Sequence, residues 1–454
     1  MKYWSPLFKW INKLSPVQVL LVFYCLAVIV STALMSLPFV YQEGVRIAFI
    51  DILFTAVSAL SVTGLSTITV ADTLSTAGII VLGFILQLGA VGVMAIGTFI
   101  WLFLGKKIGL KERRLIMADQ NQTNFEGMVR LIKQIVFVLL TIELIGFLVL
   151  GTYFLRYFPS VGEAYLQGFF GTISAITNGG FDITGQSLIP YSNDYFVQFI
   201  NILLIIFGAI GFPVLIEVKE YLFGKEDNKK RIRFSLFTKL TTFTFFILVV
   251  VGALVIYILD FNHFFADKSW HESFFYALFQ SVTTRSGGLT TMDVTELTES
   301  NHLFMSILMF IGASPSSAGG GIRTTTFALV VIFIITYARG GSSIRIFKRE
   351  VYNEDLIKAV AVALMAILIV FLSMLIMSII EPFSLMQTLF EVTSAFGTVG
   401  LSLGITSDLQ PISKIILMFL MFIGRVGIIT LLFTFKKIKR SGNYHYPKEK
   451  IIIG

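Results

Sequence analysis

The amino-acid sequence predicts an all-α polytopic membrane protein in which eight transmembrane helices form four span–pore-helix–span repeats around one pseudo-fourfold pore. Three observations carry that prediction: a hydropathy too high for a soluble chain, Lys and Arg gathered in alternate loops, and a Gly-ended segment that recurs four times. Of the 454 residues, 56% are hydrophobic and only 14% charged, with a mean hydropathy of +0.84. That is more apolar side chain than one water-soluble core hides. Runs of the roughly 20 apolar residues a bilayer demands cover 17–39, 74–104, 131–155, 196–223, 235–259, 302–337, 359–380 and 411–435. The first follows a basic start (Lys2, Lys9, Lys13) but is too long for a signal-peptide core and lacks a small-residue cleavage pattern, so it is expected to remain as a span. The single Cys25 excludes a disulfide framework and a Cys-based metal site.

Loop charge sets the orientation. Segments 1–15, 105–133, 217–239, 338–358 and 436–454 hold 3, 7, 7, 5 and 6 Lys and Arg, 28 of the 35 in the chain, and all fall on one side of the eight runs. Because basic loops stay in the cytoplasm, both termini are predicted to be cytoplasmic. The net charge of +8 follows from that bias, and no nucleic-acid-binding pattern accompanies it. The expected surroundings are a lipid bilayer, with no nucleic acid.

The outer connections each contain an apolar stretch too short to cross. They align as FTAVSALSVTGLS (54–66), FGTISAITNGGFD (170–182), LFQSVTTRSGGLT (278–290) and FEVTSAFGTVGLS (390–402). The shared glycines Gly64, Gly180, Gly288 and Gly400 are separated by 116, 108 and 112 residues. A second set, Gly89, Gly208, Gly312 and Gly424, follows the first by 25, 28, 24 and 24. The chain therefore divides into repeats at 1–128, 129–233, 234–350 and 351–435, the third with a broken second span, and a basic tail at 436–454.

Each repeat contains a half-helix that stops inside the membrane and returns through non-helical backbone, which must face protein or water. Four such half-helices around one axis aim four partially negative C-termini at it. Gly permits backbone angles that let carbonyl oxygens replace the hydration shell of an alkali ion. The selectivity-filter candidates are Gly64, Gly180, Gly288 and Gly400 with their neighbours Thr63, Gly179, Gly287 and Val399. The ion-binding carbonyls are expected near Val62, Asn178, Ser286 and Thr398. Only one Gly is common to all four segments, which predicts few ion sites and soft discrimination against sodium. Arg285 on the axis would repel a cation, so it is expected to point behind the filter and pair with an acid or with carbonyls.

The segments SVTGL, TNGGF, RSGGL and TVGL, each inside a span–pore-helix–span unit, resemble the Trk/Ktr/HKT superfamily of potassium transporters, and within it the Ktr-type translocating subunit of bacteria, over essentially the whole chain. The resemblance implies potassium uptake across a bacterial inner or plasma membrane through a gated pore, and no enzymatic reaction. It also implies a homodimer with one pore per protomer, and a cytoplasmic ring of a separate nucleotide-binding regulatory protein. Gly64, where sodium-preferring plant relatives carry Ser, favours potassium, with sodium as a second candidate ion. No GxGxxG after a strand occurs here, so ATP or ADP belongs to the partner alone.

The stretch GASPSSAGGGIRTTT (312–326) interrupts the sixth apolar run. Its polar residues require a watery or protein lining, and its place below the filter makes Gly312, Ala313, Ser314, Pro315, Ser316, Ser317, Ala318, Gly319, Gly320 and Gly321 a candidate gate. In the family resembled, the matching loop obstructs the pore. Arg425 lies ~16 Å from the basic edge on helical rise, a depth at which charge is functional by default. Alignment sets it level with Ala313, where it would donate to loop carbonyls and hold the loop closed. Arg323 is expected near the cytoplasmic mouth as a barrier to cations.

Two other functions compete with ion conduction. An enzyme would need clustered metal-ligating side chains at membrane depth, whereas His263, His271, His302 and His445 show no ligand spacing. A proton- or sodium-coupled secondary transporter also uses broken helices. Such proteins favour inverted repeats and midplane acids; these repeats run in one direction, with Glu143 as the one expected buried acid, packed or hydrogen-bonded.

Overall fold

The computed structural model describes residues 16–92, 128–223, 234–341, 343–434 and 449. The elements fall into four successive sets. The first contains α1 (Pro16–Met35), α2 (Phe49–Leu60), the single turn α3 (Val70–Thr73) and α4 (Thr76–Val91). The second contains α5 (Met128–Phe154), α6 (Val161–Thr177), α7 (Tyr195–Ala209) and α8 (Phe212–Phe223). The third contains α9 (Leu236–Leu259), α10 (Trp270–Thr283), α11 (Glu299–Ile311) and α12 (Thr324–Ala338), and a hairpin of β1 (Arg345–Ile346) and β2 (Arg349–Glu350) follows it. The fourth contains α13 (Asn353–Ile380), α14 (Leu385–Gly397), α15 (Pro411–Val426) and α16 (Ile428–Thr434). The basic termini and the whole of 93–127 lie outside the described residues.

Among the described residues, α1, α5, α9 and α13 are long and apolar enough to cross a bilayer unaided, and α7 with α8 forms a further candidate bent by 106°. The count of eight spans thus stays an expectation, and the bent pair shows that a second span besides that of the third repeat is broken. In every set the helix after the half-helix stops at a matching position: α4 at Val91, α7 at Ala209, α11 at Ile311 and α15 at Val426. Gly92, Gly211 and Gly427, three residues beyond Gly89, Gly208 and Gly424, take φ of 93°, 103° and 91°; at Gly211 and Gly427 the helix breaks and the next one, α8 or α16, begins within one or two residues, while the residues after Gly92 lie outside the described ones. The third repeat has Pro315 at that place. Proline is locked near −65° and cannot reproduce the bend, so the chain makes the longer excursion Gly312–Arg323 before α12 begins. Thr324, Thr325 and Thr326, part of the polar stretch in sequence, form the first turn of α12.

The half-helices α2, α6, α10 and α14 all start at one face. Ser160 Oγ accepts from Glu163 N at 3.1 Å, Ser384 Oγ from Gln387 N at 3.2 Å, and the Glu272 carboxylate accepts from Ser269 N at 2.8 Å. These caps satisfy amide groups that a membrane would leave stranded. Phe54, Phe170 and Phe390 stand ten residues before their shared Gly and are fully buried, as is Phe279 of the third repeat. Each long first helix packs on its own half-helix, and each second helix packs on the next half-helix in order: α4 on α6, α7 on α10, α11 on α14 and α15 on α2. The last contact closes the circle. Lys414 Nζ of α15 bonds Asp51 Oδ1 of α2 at 2.8 Å, the lysine side chain being 8% exposed.

Candidate functional site

The four half-helices end in the same unusual backbone. Val62, Asn178, Ser286 and Thr398 have φ of 56°, 58°, 77° and 48°, and two residues later Gly64, Gly180, Gly288 and Gly400 have 94°, 67°, 75° and 97°. A left-handed non-glycine residue costs roughly 1–2 kcal/mol, so the surroundings must hold each one. They do so by closing the helix end: Thr63 N donates to Ser58 O at 2.8 Å, Gly179 N to Ser174 O at 2.7 Å, Gly287 N to Thr283 O at 2.7 Å and Val399 N to Ser394 O at 2.9 Å. Hydroxyls brace three segments from behind: Ser174 Oγ donates to Phe181 O at 2.6 Å and Thr283 Oγ1 to Leu289 O at 2.5 Å, while Ser394 Oγ accepts from Gly400 N at 3.1 Å.

The glycines meet in a ring. A methyl on Gly64 would lie 2.7 Å from Gly179 O and 2.8 Å from Gly180 Cα; one on Gly180 would lie 2.9 Å from Gly288 Cα. One on Gly288 would meet Val399 O, and one on Gly400 would meet Thr63 O and stand 3.0 Å from Gly64 Cα. Only backbone fits, and the oxygens brought against the ring belong to Thr63, Gly179 and Val399, one residue after three of the four positions expected. Arg285 is fully buried and points away, donating from Nη2 to Leu308 O of α11 at 2.8 Å. Its partner is thus a carbonyl, and no acid pairs with it among the described residues.

Below the ring, the second set of glycines makes room for the left-handed side chains. A methyl on Gly89 would lie 2.7 Å from Val62 Cγ2, one on Gly208 would meet Asn178 Oδ1, and one on Gly424 would stand 3.3 Å from Thr398 Cγ2. In the third repeat Gly312 does not play this part; Gly319 of the excursion does, and its methyl would lie 2.5 Å from Ser286 Oγ. The excursion therefore lies directly beneath the ring.

Apart from Pro315 and Arg323, residues 312–323 are buried. Ser314 N donates to Ala209 O and Ala318 N to Gly208 O, both at 3.0 Å, and Ser316 O accepts from Phe212 N at 2.8 Å, which ties the loop to the second repeat. Ala313 N bonds Gly320 O at 3.0 Å within it. Arg425 Nη1 donates to Ser317 O at 3.2 Å and to Ala318 O, while Nη2 donates to Ala90 O at 2.8 Å and to Gly89 O. Its loop partners are Ser317 and Ala318, not the neighbourhood of Ala313. Arg323, at φ 79°, donates to Gly319 O and reaches Ser314 O and Arg425 O at 3.4 Å each. Two guanidinium groups thus gather carbonyls of the loop, α4 and α15 at one point.

The TrkH family profile, described as "Cation transport protein", matches residues 17–446. The chain belongs to the TrkH cation transport protein family. It is 57% identical over 446 residues to the Ktr system potassium uptake protein D of Bacillus subtilis, covering 98% of this chain and 99% of that protein. It is 35% identical to the Ktr system potassium uptake protein B of the same organism, covering 98% of each. The crystal structure of the potassium transporter TrkH from Vibrio parahaemolyticus superposes with a TM-score of 0.69 at 20% identity, over 91% of this chain and 84% of that one, so the fold is shared.

Within this TrkH-family chain, sequence reasoning missed an outer tier. Ser66, Asp182, Thr290 and Ser402 each follow their ring glycine by two and each accepts from the amide two residues on: from Ile68 at 3.2 Å, Thr184 at 3.1 Å, Met292 at 3.3 Å and Gly404 at 2.9 Å. The signal was a polar residue at one offset in all four repeats. Glu391 was also missed: it is fully buried and accepts from Leu403 N at 3.3 Å, Thr406 Oγ1 at 3.0 Å and Ser402 Oγ. Glu143 is therefore not the one buried acid. It is half-buried and takes Gln87 Nε2 on both oxygens, at 2.6 and 2.8 Å.

Proposed function

We propose that this TrkH-family membrane protein takes up potassium across the bacterial cell membrane, with the ring of Gly64, Gly180, Gly288 and Gly400 as its selectivity filter. The observation that carries the reading is the closure of that ring from four repeats, with backbone oxygens facing it and no room for any side chain. Oxygen dipoles of this kind suit a weakly hydrated monovalent cation. The naming of both Bacillus relatives as potassium uptake proteins supports potassium as the ion.

The loop of residues 312–323 is the gate, and Arg425 its latch. The loop is buried beneath the filter, and its carbonyls are held by a charged group from the fourth repeat. The "Ktr system" wording of the relatives supports operation with further components. In this reading those are a second copy of the chain, giving a homodimer with a pore in each protomer, and a cytoplasmic nucleotide-binding ring that carries ATP or ADP and releases the gate. Both termini face that ring, and sodium competes weakly for the filter. Flux of potassium, rubidium and sodium into proteoliposomes, with and without a cytoplasmic regulatory fraction, tests the proposal. Potassium and rubidium entering well ahead of sodium, faster with the fraction, is expected; equal entry of sodium and potassium would remove the filter assignment.

A further inference from the structure

We propose that the Ser286 hydroxyl makes the ion affinity of the filter depend on whether the loop lies against it. This rests on the filter-and-gate reading above and adds to it a link between the two.

Ser286 is fully buried at the left-handed corner of the third segment. Its Oγ donates to Thr398 O at 2.5 Å, lies 3.0 Å from Thr398 Oγ1, and accepts from Gly320 N of the loop at 3.3 Å. A serine hydroxyl has one proton and two lone pairs. An amide can only donate and a carbonyl can only accept, so these partners fix the direction of the chain: Gly320 N–H to Ser286 O–H to Thr398 O. Bonds in such a chain polarise one another and strengthen together.

Thr398 O is the carbonyl immediately before Val399, whose oxygen lies against Gly288. A carbonyl that accepts a strong hydrogen bond offers less electron density to a cation and is held toward its donor. The fourth segment is therefore a poorer ion ligand while the loop is in place. The corresponding positions behave differently. Val62 has no hydroxyl, and both side-chain polar atoms of Asn178 are buried without a hydrogen-bond partner. The fourfold symmetry is broken where the loop touches the filter. Arg285 secures the same segment to Leu308 O at the end of α11, next to the start of the loop. Withdrawal of the loop removes the Gly320 donor, weakens the Ser286 bond and releases the Thr398 carbonyl, so the fourth segment, whose Val399 oxygen lies against the ring, is free to adjust to the ion.

Ser286 is thus a positioning residue, acting through Thr398. Potassium binding to the purified full-length protein in detergent, measured by titration calorimetry with sodium as comparison, tests it on four proteins: wild type, Ser286→Ala, a deletion of residues 317–320, and the two combined. Loss of one such bond predicts that Ser286→Ala tightens potassium about two- to tenfold in the intact protein, and that in the deletion background it changes affinity by less than about twofold. An unchanged affinity in the intact protein, or an equal change in both backgrounds, overturns the proposal. Ser286→Cys keeps the volume with a weak donor, and an affinity between wild type and Ser286→Ala is expected; it stands in if the alanine variant does not fold. The conduction rate of the deletion in proteoliposomes tests the gate separately, so failure of the link and failure of the gate are distinguishable.

Discussion

Arg425 Nη1 donates to the carbonyl oxygen of Ser317 at 3.2 Å, across 108 residues of sequence. The same guanidinium bonds Ala318 O, Gly89 O and Ala90 O, so one side chain joins the first, third and fourth repeats. A charge-assisted hydrogen bond is worth roughly 1.5–3 kcal/mol, enough to shift a closed-to-open balance by about one to two orders of magnitude. Arg425→Ala is expected to raise partner-free potassium flux by about tenfold. Arg425→Lys should fall between, because a lysine lacks the planar fork that reaches both sides. Initial rates in proteoliposomes, normalised to protein that elutes as wild type, check this; an alanine variant at wild-type rate would deprive Arg425 of the latch role.

The ring makes a sharper demand at Gly64. A side chain there would stand 2.7 Å from Gly179 O, on a backbone at φ 94°. With strain of roughly 1–2 kcal/mol, Gly64→Ser is expected to raise the sodium-to-potassium flux ratio by about tenfold and to lower total flux. Gly288→Ala, whose methyl would meet Val399 O and stand 2.6 Å from Gly180 Cα, should abolish conduction in a protein that still purifies. Paired uptake of labelled rubidium and sodium measures both, and unchanged ratios would take Gly64 out of the filter.

Ring closure between the last and first repeats rests partly on Lys414 and Asp51, 2.8 Å apart with side chains 8% and 19% exposed. Removing one partner of a well-buried pair leaves an uncompensated charge and costs about 3 kcal/mol. Lys414→Met should lower the thermal stability of the detergent-solubilised protein, and Asp51→Asn added to it should restore part of the loss. A double variant less stable than Lys414→Met alone would deny the pairing.

Asp194 caps the N-terminus of α7, its Oδ1 accepting from Phe196 N at 3.0 Å and Val197 N at 3.1 Å. Burial by itself would raise its carboxyl, but hydrogen bonds from Tyr157, the Val197 amide, Tyr153 and the Phe196 amide outweigh it and hold the group below the usual carboxylate range. A depressed native value means the stabilisation is present above the unfolded value and is lost as pH falls through the native one. The apparent Tm of wild type should therefore drop between about pH 6 and about pH 3 by more than that of Asp194→Asn, whose amide caps a helix without titrating. Parallel declines would assign the acid sensitivity elsewhere.

The legible parts of this molecule were those that repeat. Gly64, Gly180, Gly288 and Gly400 stood out because each demands a backbone only Gly tolerates, and the polar run at 312–321 because it contradicts its apolar flanks. The breaks at Gly211 and Gly427 were missed because a Gly inside an apolar run reads as a tolerated helix residue. The clue was their common offset of three, with Pro315 in the odd repeat. Glu391 was hidden in a helical pattern, its partners Ser402 and Thr406 being supplied only when the chain folds back. The bond from Ser286 to Thr398 spans 112 residues, and no local pattern announces it.

In the function proposed above, a filter built from four repeats is closed from below by the loop of the third. Potassium flux into partner-free proteoliposomes, wild type against the deletion of residues 317–320, decides between this and an open pathway. The deletion removes the Ser317 and Ala318 carbonyls that Arg425 holds and the Gly320 amide that touches Ser286. It should conduct at least about tenfold faster than wild type while still preferring potassium to sodium. A well-folded deletion protein that conducts no faster would contradict the account and leave the excursion as a static wall of the vestibule.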